Sequence, residues 1–234
     1  MKLRPRLMLV LFFLADVCLL TIFCLQRREN DIIYRQVSVQ MHEDNEVMAE
    51  TKKIALTFDD GPNHLYTLPL LEGLHERGVK ATFFLLGQEV TEYPEIAKKI
   101  AEEGHLIGNH SFYHNNLCEL KREDAVMQVG RTNEVIYEAT GQYPQLIRPP
   151  FGSSPDNLVY EPPMVEVLWT IDSRDWALSD VGTIMQNVLP EAKEDAIILM
   201  HDSSKTSVQA ALAIVDSLQK EGYTFVTLDE ILFD

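Results

Sequence analysis

The strongest constraint on what this chain can fold into is its alternation of short β-rich runs with longer segments of helical patterning. Candidate strands fall at Ile54–Phe58, Ala81–Leu86, Leu106–Asn109, Leu146–Arg148, Val165–Ile171, Ala196–Met200 and Thr224–Thr227. Between them, Thr67–Arg77, Pro94–Glu103, Glu123–Ala139, Val181–Glu191 and Val208–Glu221 place apolar residues at helical spacing. Strands interleaved with helices predict an α/β fold with a mainly parallel sheet. One connection breaks the rhythm: Pro149-Pro150-Phe151-Gly152-Ser153-Ser154-Pro155, followed by Pro162-Pro163, leaves little room for a full crossover helix.

The first 25 residues differ from the rest. Lys2, Arg4 and Arg6 precede an apolar run from Leu7 to Leu25, interrupted by Asp16 and Thr21. Such a run covers roughly 28 Å as a helix, close to the thickness of a bilayer core. Bulky residues at Ile22-Phe23-Cys24-Leu25 offer no small-residue cleavage site. Residues 1–25 therefore read as an uncleaved signal anchor, a single transmembrane helix that leaves the remainder outside the cell membrane. A cleaved secretion signal is the alternative and leads to the same compartment. Residues 26–50 read as a stalk, in which Met41-His42-Glu43-Asp44-Asn45-Glu46 is polar and aperiodic, leaving 51–234 as the folded domain.

From Thr51 onward 14 Lys/Arg face 29 Asp/Glu, a net of −15, which disfavours nucleic acid as a partner. Cys118 is the one cysteine beyond the anchor, so the domain must rely on its core rather than on an internal disulfide.

The polar residues are not scattered. Asp59 and Asp60 follow the first candidate strand, and His110 and His114 the third. Arg148 ends the fourth, Asp172 and Asp175 follow the fifth, and His201 and Asp202 the sixth. Active sites of parallel barrels and open α/β sheets sit at the carboxyl ends of the strands, so these clusters would share one rim. A helix-capping role explains Asp60 or Asp202 singly but not the gathering of histidine, arginine and aspartate. His110 and His114, at i and i+4, would share a face if their segment were helical and could reach one metal ion. One aspartate of the Asp59-Asp60 pair would complete a three-ligand set with an open position, the pattern of a catalytic zinc. The other would be free to act as a base. No glutamate follows His110, which removes support for a metalloprotease of the His-Glu-x-x-His kind.

Thr57-Phe58-Asp59-Asp60-Gly61-Pro62, His110-Ser111-Phe112-Tyr113-His114, Arg148-Pro149-Pro150-Phe151, Asp172-Ser173-Arg174-Asp175-Trp176 and Leu199-Met200-His201 resemble, in order, the five motifs of the polysaccharide deacetylases, carbohydrate esterase family four. The resemblance extends from about Ile54 to Leu232. It implies an irregular (β/α)7 barrel that removes acetyl groups from polysaccharides with one divalent metal, most often zinc, with cobalt or another ion as alternatives. By matching position it implies Asp60, His110 and His114 as metal ligands and Asp59 as general base. It further implies His201 as the acid that protonates the departing amine, Asp175 as the residue that orients it, and Arg148 as the partner of Asp59. Phe151 would offer a backbone N–H to the oxyanion, and Trp176 and Leu199 a pocket for the acetyl methyl. The segment Gly152–Met164 departs from the family pattern, which commonly has a fuller helix there, so the groove is expected to differ on that side.

The activity expected is deacetylation of N-acetylglucosamine units, with peptidoglycan as the first substrate. Chitin-like oligosaccharides and O-acetyl xylan are alternatives within the class. A non-catalytic glycan-binding protein is the alternative of another class. His105 reads as a loop or rim residue, and His42, His64 and His75 as surface residues.

Overall fold

A computed structural model describes residues 52–156 and 158–233. The chain runs β1 (Lys52–Asp59), α1 (Thr67–Glu76), β2 (Thr82–Leu85), α2 (Gly87–Glu92), α3 (Pro94–Glu102), β3 (Leu106–Asn109), α4 (Arg122–Thr140) and β4 (Leu146–Ile147). It continues through β5 (Val165–Glu166), β6 (Ile171–Asp172), α5 (Val181–Val188), β7 (Ala196–His201), α6 (Lys205–Lys220), β8 (Tyr223–Val226) and α7 (Leu228–Leu232). All strand pairings are parallel, in the order β5-β4-β3-β2-β1-β7-β6. One edge of β1 pairs with β7, and the other is shared between β8 at Lys52–Ala55 and β2 at Thr57–Asp59. The anchor and stalk assigned to residues 1–25 and 26–50 lie outside the described residues. Among the described residues, no helix is long and apolar enough to cross a membrane.

The period of two along each strand decides which residues can reach a common site. Ile54, Leu56 and Phe58 of β1 pack with Leu70, Ile198, Met200 and Ile214 in the core between sheet and helices. Ala55 faces the other side, where it joins Phe84, Leu146, Val167 and Ile197. Thr57 and Asp59 continue that inner row on β1, as Leu199 and His201 do on β7. The inner space is tight: a Cβ on Gly108 would come within 2.4 Å of the Phe84 ring, so β3 needs glycine there. Helix ends follow local chemistry. Gly141, at φ 77°, closes α4 in the left-handed conformation, while Pro190 lies in the 3-10 turn that follows α5.

The expected strand Val165–Ile171 is instead two short strands at opposite ends of the sheet path. Val167 N–H still bonds Ile147 O beside β4 at 2.9 Å, whereas Thr170 N–H bonds Ile197 O beside β7 at 3.0 Å. The run therefore crosses the seam of a curled sheet. At that seam the fully buried Arg148 donates Nε to Val167 O at 3.1 Å and Nη2 to Leu168 O at 2.8 Å. Its guanidinium satisfies carbonyls that a continuous strand would pair along a ladder.

Truncating that side chain strands two carbonyls and the buried Asp59 together. Arg148→Ala is expected to lower the unfolding free energy by about 3–5 kcal/mol, measured by urea denaturation. A loss below about 1 kcal/mol would show that the seam does not depend on it.

Candidate active site

The carboxyl ends of β1, β3, β4, β6 and β7 bring together the residues predicted from the sequence. Asp60, His110 and His114 converge, with one ligand atom from each lying within 4.8 Å of the others. Asp60 Oδ1 lies 3.4 Å from His110 Nε2 and 3.3 Å from His114 Nε2, buried and without a hydrogen-bond partner. His110 Nδ1 is 2.7 Å from the Arg148 carbonyl oxygen and must be the protonated nitrogen, since a carbonyl only accepts. In the neutral ring that tautomer directs the Nε2 lone pair toward Asp60. Burial pushes the His114 pKa below the ordinary histidine value, although the Asp60 charge opposes it. Acceptor atoms thus face one another around a small space, with a backbone contact fixing one imidazole tautomer. This donor set fits a divalent cation.

The segment of the two histidines is not helical, so they do not meet on the shared face that a helix would have given them. Residues 110–116 form an irregular loop, and the imidazoles converge because Ser111 and His114 adopt left-handed φ values of 65° and 57°. Their ring centroids are 5.1 Å apart. Asn109 ties this loop to α4: its amide nitrogen donates to Val129 O and Asn133 Oδ1, and its Oδ1 accepts Ser111 N–H at 2.7 Å.

Asp59 lies on one side of the triad, buried, with Oδ2 3.8 Å from His110 Nε2. Its Oδ1 accepts Arg148 Nη1 at 2.8 Å, and the same nitrogen donates to Thr57 Oγ1 at 2.8 Å. Thr57 in turn donates to Ile198 O. His201 lies toward the other carboxylate oxygen of Asp60, with Nε2 3.9 Å from Oδ2. Asp175 grips His201 at two points, accepting Nδ1–H and the backbone N–H, each at 2.8 Å. Ser173 Oγ donates to the same carboxylate at 3.1 Å. Burial of the His201 ring pulls its pKa down, but the Asp175 hydrogen bond and charge, with Asp59 and Asp60 adding to them, push it up to about 9.

Phe151 adopts φ 60° on a short turn after β4, with its ring edge-on to His114 at 4.8 Å. The ring is 67% exposed, as are Trp176 at 65% and Tyr113 at 52%, so the neighbourhood of the site carries exposed aromatic rings. Leu199 is buried on the inner row of β7, whereas Trp176 stands open on the turn after β6. Of the histidines read as non-catalytic, His42 lies outside the described residues. His64 and His75 are exposed. His105 is buried at the start of β3, where its Nδ1 accepts the Ala81 N–H and burial pushes its pKa down to about 4. Thr57, Asn109 and Ser173 support the site without having been singled out, because a supporting hydrogen bond leaves no periodic signal in a sequence. Asp202 is buried behind the site, and burial pushes its carboxyl up to about 6.

A profile of the family described as Polysaccharide deacetylase matches residues 46–162. The peptidoglycan-N-acetylglucosamine deacetylase PgdA of Listeria monocytogenes is 37% identical over 180 residues, covering 77% of this chain and 39% of its own. The peptidoglycan-N-acetylmuramic acid deacetylase PdaC of Bacillus subtilis is 37% identical, covering 82% of this chain and 41% of its own. A solved structure of PdaC aligns with a TM-score of 0.75 at 38% identity, over 78% of this chain and 90% of the solved one. The chain belongs to the polysaccharide deacetylase family. Its curled parallel sheet with outer helices is the family's (β/α)7 fold. The chain spans about two fifths of the length of PgdA and PdaC. Membership alone does not carry turnover: BA3943 of Bacillus anthracis, a family-four pseudoenzyme, aligns with a TM-score of 0.73 at 32% identity, over 78% of this chain and 66% of its own.

Two outcomes test the geometry. The His110→Ala and His114→Ala double variant is expected to stay folded and lose stoichiometric zinc, measured by elemental analysis. Full occupancy would remove the triad assignment. The imidazole of His201 is expected to titrate near pH 9 by NMR in the metal-free protein. A nearby anion favours the imidazolium, so Asp175→Asn must move that titration to lower pH; an unmoved midpoint would sink the pairing.

Proposed function

We propose that this chain is a metal-dependent deacetylase that removes N-acetyl groups from N-acetylglucosamine units of peptidoglycan. The observation that carries this reading is the placement of Asp59 and His201 around the Asp60-His110-His114 set. A glycan-binding or metal-binding barrel needs neither a base nor an acid there. Amide hydrolysis needs both, because water must lose a proton and the departing amine must gain one. The names of PgdA and PdaC support peptidoglycan as the polymer.

In this reading Asp60, His110 and His114 hold a divalent ion, most simply zinc. Such an ion, when bound, lowers the pKa of water toward neutrality and polarises the acetyl carbonyl. Asp59, fixed by Arg148, takes the proton of the attacking water. His201, kept protonated by Asp175, gives a proton to the glucosamine nitrogen as the C–N bond breaks, releasing acetate and a free amine. The Phe151 N–H is offered to the developing oxyanion, a contact worth on the order of 3 kcal/mol when well placed. Trp176 and Leu199 are assigned to the acetyl methyl, and the exposed rings of Tyr113 and Phe151 to the sugar rings. Residues 1–25 are proposed to anchor the protein in the cell membrane and 26–50 to hold the domain next to the wall.

The deciding experiment is mass spectrometry for acetyl loss from muropeptides, chitin oligomers and acetylated xylan. Turnover is expected on N-acetylglucosamine-containing glycans, faster on oligomers than on the monosaccharide, because remote sugar contacts position the reacting acetamide. Cleavage of xylan esters alone would make the protein an O-acetyl esterase, and no product from any substrate would favour the binding reading. Asp59→Asn is expected to keep its metal and lose roughly 10²–10⁴-fold in turnover. Asp175→Asn should move the alkaline limb of activity to lower pH, since the acid form of His201 would then be lost sooner. For the anchor, membrane fractions should retain a chain whose N-terminal peptide still includes Leu25; a shortened soluble protein would favour a cleaved signal.

A further inference from the structure

One buried carboxylate has no part in the proposed chemistry. Asp202 directly follows His201 and is fully buried. Its Oδ1 has no hydrogen-bond partner, while its Oδ2 accepts the Thr67 hydroxyl. It is not a helix cap, because Ser204 caps α6. Burying a carboxylate with one bare oxygen is costly, so the position asks for another explanation.

The surroundings supply it. Thr67 Oγ1 accepts the Asn63 backbone N–H at 2.6 Å while donating to Asp202. Asn63 Oδ1 accepts the N–H groups of Leu65 and Tyr66 at 2.9 and 3.2 Å, shaping the turn into α1. The carboxylate also occupies the space beside Gly61, where a Cβ would lie 2.7 Å from Oδ2. Asp202 therefore meets the loop after Asp60 at Gly61 directly and at Asn63 through Thr67. Asp60 itself has φ 73°. A non-glycine residue held there is strained and persists only where its surroundings over-determine it. The Leu86 N–H to Gly61 O bond, at 2.9 Å, and the Thr67 N–H to Asn63 O bond, at 3.1 Å, are further restraints on this loop.

We propose that Asp202 is a positioning residue: by packing against Gly61 and acting through the Thr67–Asn63 relay, it holds residues 60–63 so that Asp60 meets His110 and His114. The inference rests on reading those three residues as an ion-holding set and is independent of the substrate. Through its carboxylate the end of β7, which also carries His201, is tied to the loop that carries Asp60. The acid side and the ligand side of the site would then be set in register by one buried contact.

The test uses the full chain purified in detergent, with zinc affinity measured by competition with a fluorescent chelator. Thr67→Val removes the relay hydroxyl and nearly keeps its shape, whereas Thr67→Ser keeps the hydroxyl. The valine variant is expected to bind zinc about 10–100-fold more weakly, the usual effect of losing an outer support of a ligand, and the serine variant to recover most of it. Cobalt substituted into the valine variant should show an altered ligand-field spectrum, which a general loss of stability would not produce. Unchanged zinc affinity and cobalt spectrum, whatever the melting temperature, would overturn the proposal. Should the valine variant fail to fold, Asp202→Ala, which removes both the acceptor for Thr67 and the contact on Gly61, answers the same question by the same two measurements. Failure of the unaltered protein to bind zinc would instead overturn the triad reading beneath it.

Discussion

Arg148 is the residue on which the rest of this structure depends, because it joins the closure of the sheet to the geometry of the site. Its side chain takes the Val167 and Leu168 carbonyls at the seam and the Thr57 hydroxyl and Asp59 carboxylate inside. Its own carbonyl oxygen receives His110 Nδ1. One residue therefore orients the proposed base and one proposed metal ligand while bridging the two edges of the curled sheet. A buried guanidinium is stable only when its donors are matched, and this one also stacks over the Phe84 ring at 4.2 Å. A lysine could not reproduce the planar fork that reaches four acceptors. Fold and site thus share a single constraint.

The loops above that seam hold their side chains by backbone conformation rather than by regular structure. Asp60, Ser111, His114, Phe151 and Arg174 all have positive φ without being glycine, and all lie in loops carrying four of the five motifs. Such conformations recur at sites where geometry is bought with local strain. Three of these loops are anchored from behind: the Asp60 loop by Asp202 and Leu86, the histidine loop by Asn109 of β3, which bonds to α4, and the Asp175 turn by Ser173. Asn187 of α5 in turn donates to the Ser173 carbonyl. The outer helices do more than cover the sheet, since α4 and α5 each contribute a polar anchor to a loop at its rim.

The strand–helix alternation and the residues at the strand ends were legible from sequence, because a period of two and a polar residue ending an apolar run are local signals. Placing Asp59, Arg148 and His201 on one rim required only that the strands be parallel. The split of Val165–Ile171 was not legible, since the seam is made by Arg148, a residue distant in sequence. Nor was the histidine loop. A spacing of four fits a helix, but it is also met by a loop with two left-handed residues, and no pattern separates the two in advance. Asp202 reads as a cap because it precedes a helix; only its burial against Gly61 and Thr67 shows that it packs behind the Asp60 loop instead. Trp176 and Leu199 were paired on resemblance, and the backbone places one open to solvent and the other on the buried inner row.

What remains is why one site holds histidines of opposite character. His114 and His201 both lie close to Asp60, and both are partly buried. Burial alone would push each toward the neutral form. For His114 that tendency wins, because the charges of Asp60 and Asp59 do not outweigh burial and the neighbouring histidines, and a neutral ring is what a cation requires. For His201 it loses, because Asp175 supplies a hydrogen bond to Nδ1 and a full charge from a carboxylate that is itself buried, beyond the attraction of Asp59 and Asp60. A bound cation would offset the charge of Asp60 and leave Asp175 as the principal reason for His201 to keep its proton. Two like side chains pushed apart in this way can hold different jobs at one pH, one as ligand and one as acid. In the proposed chemistry the second aspartate therefore matters as much as the metal set: without Asp175, His201 would give up at lower pH the proton that an amide nitrogen needs in order to leave.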